Sequence, residues 1–140
     1  MQETKKIVVN FLGRQIELIP KIFLSTVPDF LGYEQKNIGI SFEWEGEYGL
    51  EPFAVLTKNF GEFLALKNAA YVDTNNCPFA KELLTQGIAI DTGITKRSGF
   101  CEYPLWEFNE DFLKSVDETT YEEYSNSFDA YMKFMCEPEC

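Results

Sequence analysis

From Asn37 to Trp44 the side chains alternate without a fault. Ile38, Ile40, Phe42 and Trp44 fall on one face, and Gly39, Ser41 and Glu43 on the other. A period of two with one apolar and one polar face is the pattern of an antiparallel strand half exposed to water. Such a strand needs neighbours, and the flanking sequence offers them. Lys5 to Phe11 and Arg14 to Ile19 are β-branched and apolar runs around Leu12-Gly13, which reads as an opening hairpin. Pro20 and Pro28 bracket a less regular stretch, Lys21 to Leu31. Glu45 to Leu50, with Gly46 and Gly49, reads as a turn, and Phe53 to Thr57 as a returning strand, apolar on both faces and therefore expected to sit centrally. Ile38, Ile40, Phe42 and Trp44 are expected to be buried, with Glu43 and Glu45 exposed on the opposite face.

Downstream the pattern turns helical. Asn59 to Ala69 is loop-like, and Ala70 to Asp73 is a short strand ending in Asp73-Thr74-Asn75-Asn76. Asn76 or Cys77 suits a helix cap and Pro78 its first turn, with the helix running to about Gln86 and stopping at Gly87. Ile88 to Ile90 is a short apolar segment, and Asp91 to Gly99 reads as a loop. Phe100 to Phe108 is a last strand, after which Asn109 caps a short helix with Glu110 and Asp111 in its first turn. Tyr121, Tyr124, Phe128, Tyr131 and Met135 then form a narrow stripe on a final helix. A capping box, Thr119 with Glu122 or Thr120 with Glu123, is expected at its start. The stripe reads as packing onto the chain's own sheet, with a homodimer face as the alternative. Strands followed by helices make a single α+β domain over residues 1–140, an antiparallel sheet with about three helices packed on it.

A chain of 140 residues with 45% apolar content, 13 Phe and 7 Tyr carries enough apolar surface for a packed core. No apolar run approaches the roughly 18 residues of a membrane span, so no membrane partner is expected. The first residues lack the apolar stretch of a signal peptide, which points to the cytoplasm. There is no histidine, the commonest general base and metal ligand. Cys77, Cys101, Cys136 and Cys140 form no Cys-x-x-Cys pair, so they are read as free packing thiols rather than a zinc site. No metal and no cofactor is expected.

The charge is more telling. Lys and Arg number 12 against 23 acids, a net −11. Residues 101–140 alone hold 11 acids against Lys114 and Lys133, a net −9. Such a chain repels a phosphate backbone, so no direct nucleic-acid binding is expected. It attracts a basic protein surface instead, although a net charge of one sign is also a solubility device.

Two further patterns bear on chemistry. Ile88-Ala89-Ile90-Asp91-Thr92-Gly93 resembles the aspartic-protease tripeptide, but its second signature is missing, and Asp91 with Gly93 also reads as a plain turn. Asp73, Asn75 and Asn76, with Arg97 and Ser98 of a basic loop, could together hold an anion or small ligand; they also read as a cap and a surface turn. Gly-rich phosphate loops are absent, and no Ser or Cys can have a histidine partner. Whether the chain is an enzyme stays open, with the balance against it.

Ala70-Tyr71-Val72-Asp73-Thr74-Asn75-Asn76, the short helix ending at Gly87, Thr92-Gly93, Arg97-Ser98-Gly99-Phe100-Cys101, Tyr103-Pro104 and Phe108-Asn109 carry a resemblance. Over roughly residues 50–113 the chain resembles an uncharacterised family, a domain of unknown function, of small acidic proteins encoded on plasmids and conjugative elements of gut-type bacteria. The resemblance implies a cytoplasmic accessory protein of a mobile element and supplies no catalytic residues.

These readings lead to a non-enzymatic acidic interaction protein of a mobile element, acting as a nucleic-acid mimic that inhibits a host DNA-targeting defence protein. Its partner surface is expected to pool Glu43, Glu45, Glu47, Glu110, Asp111, Glu118, Glu122 and Glu123. The alternatives are an anion-binding or enzymatic site at Asp73, Asn75 and Arg97, and a structural homodimer.

Overall fold

The computed structural model describes residues 5–136. The strands form two antiparallel four-stranded sheets, so the expected α+β class holds with two sheets in place of one. In the first, β1 (Ile7–Phe11), β2 (Arg14–Pro28), β3 (Glu34–Gly46) and β4 (Gly49–Val55) lie side by side in chain order. The first hairpin closes on Leu12 and Gly13, both at positive φ (53° and 78°), the backbone of a tight two-residue turn that follows the twist of its strands.

Three expectations in this half need correction. Lys21 to Leu31 is not irregular: β2 runs on to Pro28, paired with β3 from Ile19↔Glu43 to Pro28↔Glu34. Beyond Ile7↔Leu18 no strand among the described residues flanks the other edge of β2, and Pro20 is accommodated there without breaking a central ladder. The turn expected over Glu45 to Leu50 shrinks to Glu47-Tyr48, because Gly46 still pairs with Gly49. β4 is an edge strand rather than a central one, with a register shift opposite Phe42 and Glu43 and with Val55 exposed.

Leu56 alone separates β4 from β5 (Thr57–Lys58), where the second sheet begins. Its N–H donates to the Ile40 carbonyl at 2.9 Å, its carbonyl accepts from Asp73 at 2.8 Å, and its side chain is fully buried. The second sheet orders β5, β6 (Ala69–Val72), β8 (Cys101–Phe108) and β7 (Ala89–Ser98). Asp91 to Gly99 is thus mostly strand, not loop. The register slips between Asp91 and Thr95, with Gly93 at φ +85°, and that bulge erases the alternation a strand would show in sequence.

The helix expected from Asn76 to Gln86 is shorter. A 3₁₀ turn at Pro78–Ala80 leads into α1 (Lys81–Thr85), and neither carries a side-chain cap, although Gly87 (φ +76°) stops the helix as expected. Asn109 caps α2 (Glu110–Val116), its side-chain oxygen accepting the Phe112 N–H at 3.0 Å. The capping box proposed for α3 (Glu118–Cys136) is replaced by Asp117. Its carboxylate accepts the Thr120 N–H at 3.1 Å and the Thr120 hydroxyl at 2.7 Å. These bonds hold its carboxyl below the usual carboxylate range.

One contiguous core joins both sheets and all three helices. Ile38, Ile40 and Phe42 are buried in it, while Trp44, near the end of its strand, is half-buried against Phe53. Glu45 is exposed, and Glu43 is half-buried rather than fully exposed. The stripe on α3 splits. Tyr121, Tyr124 and Phe128 are buried, Tyr131 is half-buried, and Met135 is exposed. The buried part serves the chain's own core, which leaves it no role as an outer face.

Candidate functional site

The acidic residues singled out in sequence come from two places. Glu43, Glu45 and Glu47 lie at the end of β3 and in the two-residue turn after it. Glu110 and Asp111 start α2, and Glu118, Glu122 and Glu123 occupy the first turns of α3. All are exposed except half-buried Glu43, and none makes an ion pair within 4.0 Å among the described residues. Ion pairs there engage other acids, as in Lys6–Glu17 and Lys67–Asp129. The helical group fits its fold. Acids in a first turn face the positive helix end, and those of α3 sit off the Tyr121–Tyr124–Phe128 stripe that the core claims. No hydrogen bond or ion pair among the described residues links the β3 group to the helical one. The structure therefore offers two acidic patches, unneutralised and facing water.

The Asp73 cluster is turned inward upon itself. The Asp73 carboxylate accepts the Asn76 N–H at 3.2 Å and the Asn76 side-chain amide at 2.8 Å, and its backbone carbonyl accepts from Cys77. Burial, and then the nearby Asp73 charge, push the Cys77 thiol up to about 11. Asn75 is exposed and makes no side-chain hydrogen bond among the described residues. Arg97 and Ser98 lie on the β7–β8 hairpin opposite Glu102 and Cys101, and no hydrogen bond or ion pair joins them to Asp73 or Asn75 among the described residues. In the Asp91-Thr92-Gly93 tripeptide, Asp91 accepts the Gly93 N–H at 2.9 Å and Thr92 donates to the Leu105 carbonyl at 2.8 Å. That is a bulge stabilising its own backbone. Cys77, Cys101 and Cys136 are free thiols, and Cys140 lies outside the described residues.

Sequence reasoning passed over Asn68. This residue stands at φ +67° just before β6, and its side-chain oxygen accepts the Tyr121 hydroxyl at 2.8 Å. Its N–H donates to the Tyr124 hydroxyl at 2.8 Å, and its carbonyl accepts from Phe108. The Tyr121 hydroxyl also reaches Glu110 at 3.2 Å, so the buried network ends at one of the exposed acids. Burial, and then the Glu110 charge, raise Tyr121 to about 12, and burial raises Tyr124 as well. A cavity of about 300 Å³ opens beside this network, with Glu107, Asn109 and Glu110 among its lining residues. The one sequence signal was an asparagine directly before a strand, where asparagine tolerates positive φ better than other non-glycine residues.

Among the described residues, no three His, Cys, Asp or Glu side chains are grouped to hold a metal, and no helix is long and apolar enough to cross a membrane. Residues 29–128 match the model of a family described as a domain of unknown function, DUF4313. No curated protein and no solved structure matches the chain.

Proposed function

The chain belongs to the DUF4313 family, and we propose that it is a non-enzymatic protein that binds a basic protein surface through its acidic patches. One observation carries the reading. Seven exposed carboxylates, Glu45, Glu47, Glu110, Asp111, Glu118, Glu122 and Glu123, lack an ion-pair partner among the described residues of a chain at net −11. Unneutralised surface charge of one sign steers an oppositely charged partner into encounter. The inward-turned Asp73 cluster speaks against an anion site. The resemblance to proteins of plasmids and conjugative elements supports a finer reading, in which the partner is a cationic DNA-binding groove of a host defence protein, occupied by carboxylates in place of phosphates.

The test is a lysate pull-down at low and high salt, followed by association kinetics with the captured protein. Reversing Glu118, Glu122 and Glu123 to Lys is expected to slow association by roughly tenfold at low ionic strength and to change dissociation little. Salt is expected to remove the difference, because exposed charges act over about 8 Å at physiological ionic strength. Partners retained unchanged by both the reversal and the salt would leave the acidity as a solubility device only.

A further inference from the structure

Beyond Phe128 α3 gives the core only half-buried side chains, Met132 among them, yet the helix continues to present aromatic side chains. Tyr131 packs edge-on against Phe63 with ring centroids 4.7 Å apart, and Phe134, one turn on, is 67% exposed. Facing them is the turn between β2 and β3, where Phe30 is 74%, Leu31 54% and Tyr33 61% exposed. Two recesses lie between these walls. One, of about 400 Å³, is lined by Tyr33, Ser127, Ala130, Tyr131 and Phe134 among others, and the second, of about 350 Å³, by Pro28, Phe30, Phe63 and Ala65 among others. Asp29 and Tyr131 belong to both, so the recesses adjoin. Large apolar side chains gathered at the surface in this way mark a contact site, not scattered surface residues.

The outer wall is pre-formed. The Asp29 carboxylate accepts the N–H groups of Leu31 and Tyr33, each at 2.9 Å, and the Gln35 amide at 3.2 Å. The turn is closed again by the Asp29 N–H on the Tyr33 carbonyl at 2.8 Å. A groove wall held by these hydrogen bonds loses little freedom when it is occupied, which favours binding.

Charge decides the occupant. The charged residues lining the two recesses are Asp29 and Glu62, both acidic, and no Lys or Arg lines either, although Glu62 is paired with Lys96. A second copy of a chain at net −11 would bring like charge against like. We infer that this groove receives an amphipathic basic segment of a partner protein, which sets two apolar anchors into the adjoining recesses and directs Lys or Arg toward the acidic surroundings. If helical, such a segment supplies the anchors at i and i+3 or i+4. The inference rests on the reading of the chain as a binder of basic protein. It divides the labour: the acidic patches speed encounter, and the groove holds the complex.

The probe is a synthetic peptide of leucine and lysine in an amphipathic helical repeat, titrated by calorimetry and by amide chemical shifts. Two controls keep its length, one with every leucine changed to serine and one with every lysine changed to glutamate. The leucine–lysine peptide is expected to bind one to one and to shift the amides of residues 29–35 and 127–134, while neither control binds. Tyr33→Ser with Phe134→Ser is expected to weaken it by about tenfold or more, the loss that goes with removing central aromatic anchors. Both residues are exposed, and circular dichroism checks that the fold is kept. Binding that survives this pair but is lost on reversing Glu118, Glu122 and Glu123 would overturn the groove and leave the acidic-surface reading standing. Binding indifferent to both sets overturns both. Equal binding of the leucine–glutamate peptide overturns the basic occupant, and so does a dimer in sedimentation that the Tyr33 and Phe134 pair dissolves.

Discussion

The side-chain oxygen of Asn68 accepts the hydroxyl of Tyr121 at 2.8 Å across 53 positions of chain. Asn68 does this from a backbone at φ +67°, a conformation that asparagine tolerates better than other residues with a Cβ. The bond ties the second sheet's entry to the first turns of α3. Asn68→Ala is expected to cost about 2 kcal/mol, from left-handed strain together with loss of the bond, which leaves the Tyr121 hydroxyl only its longer contact to Glu110. Asn68→Gly relieves the strain and is expected to cost less than alanine. Urea midpoints of the two variants check the order, and an alanine variant as stable as the parent would mean that the bond carries nothing.

Phe42→Ala is expected to destabilise by about 3–5 kcal/mol, the usual range for a buried phenylalanine. Its ring is 1% exposed and stands edge-on to Phe79 with centroids 5.7 Å apart. Glu45→Lys, at an exposed position three residues further along the same strand, is expected to change stability by less than about 0.5 kcal/mol. Denaturant unfolding of the two variants measures the contrast directly.

Asp117→Ala removes the cap of α3 and is expected to cost about 1 kcal/mol, with some loss of helical circular dichroism. The pH dependence has a definite sign. A carboxyl held below its unfolded value adds stability above that value, near 3.9, and loses it as pH falls through the depressed folded one. The difference between parent and variant should therefore shrink as pH drops below about 4. A difference constant down to strong acid would mean that the charge is irrelevant to the cap.

Cys77 is buried with its thiol raised to about 11, and Tyr121 is raised to about 12. Thiol reagents at mild pH are expected to modify exposed Cys136 and spare Cys77 until the protein unfolds. Both groups bind their protons more tightly when folded. Their contribution is whole below the unfolded values, about 8.5 for cysteine and about 10 for tyrosine, and drains as pH climbs toward the folded ones. Thermal midpoints measured from pH 8 upward should fall accordingly, and Cys77→Ala and Tyr121→Phe should flatten the fall.

What could be read from the sequence was what repeats locally. Ile38, Ile40 and Phe42 announced their strand and its buried face, and Asn109 announced its helix, because alternation and capping are settled within a few residues. β7 stayed hidden because the slip between Asp91 and Thr95 breaks the period that defines a strand. The far half of β2 was obscured by two prolines and recovered only through pairing with β3. The acidic residues were visible as composition, but their division between the β3 end and the helices was not. The groove was hardest to foresee. Tyr131 continues the stripe of Tyr124 and Phe128, and only the tertiary path shows that it stays half-buried at the core's margin.

The single-residue joint at Leu56 has a consequence for how the chain reaches this structure. β1 to β4 form a meander whose hairpins close over short spans, so they can assemble quickly. The second sheet must instead bring β6 beside β8, with Ala70 meeting Trp106 across a long intervening stretch, and that closure carries the larger entropic cost. Leu56 hydrogen-bonds to Ile40 on one side and Asp73 on the other, so a meander formed first would already tether β5 and the end of β6. The topology therefore predicts that the first sheet forms ahead of the second, an order that φ-values at Ile40 and Trp106 would measure.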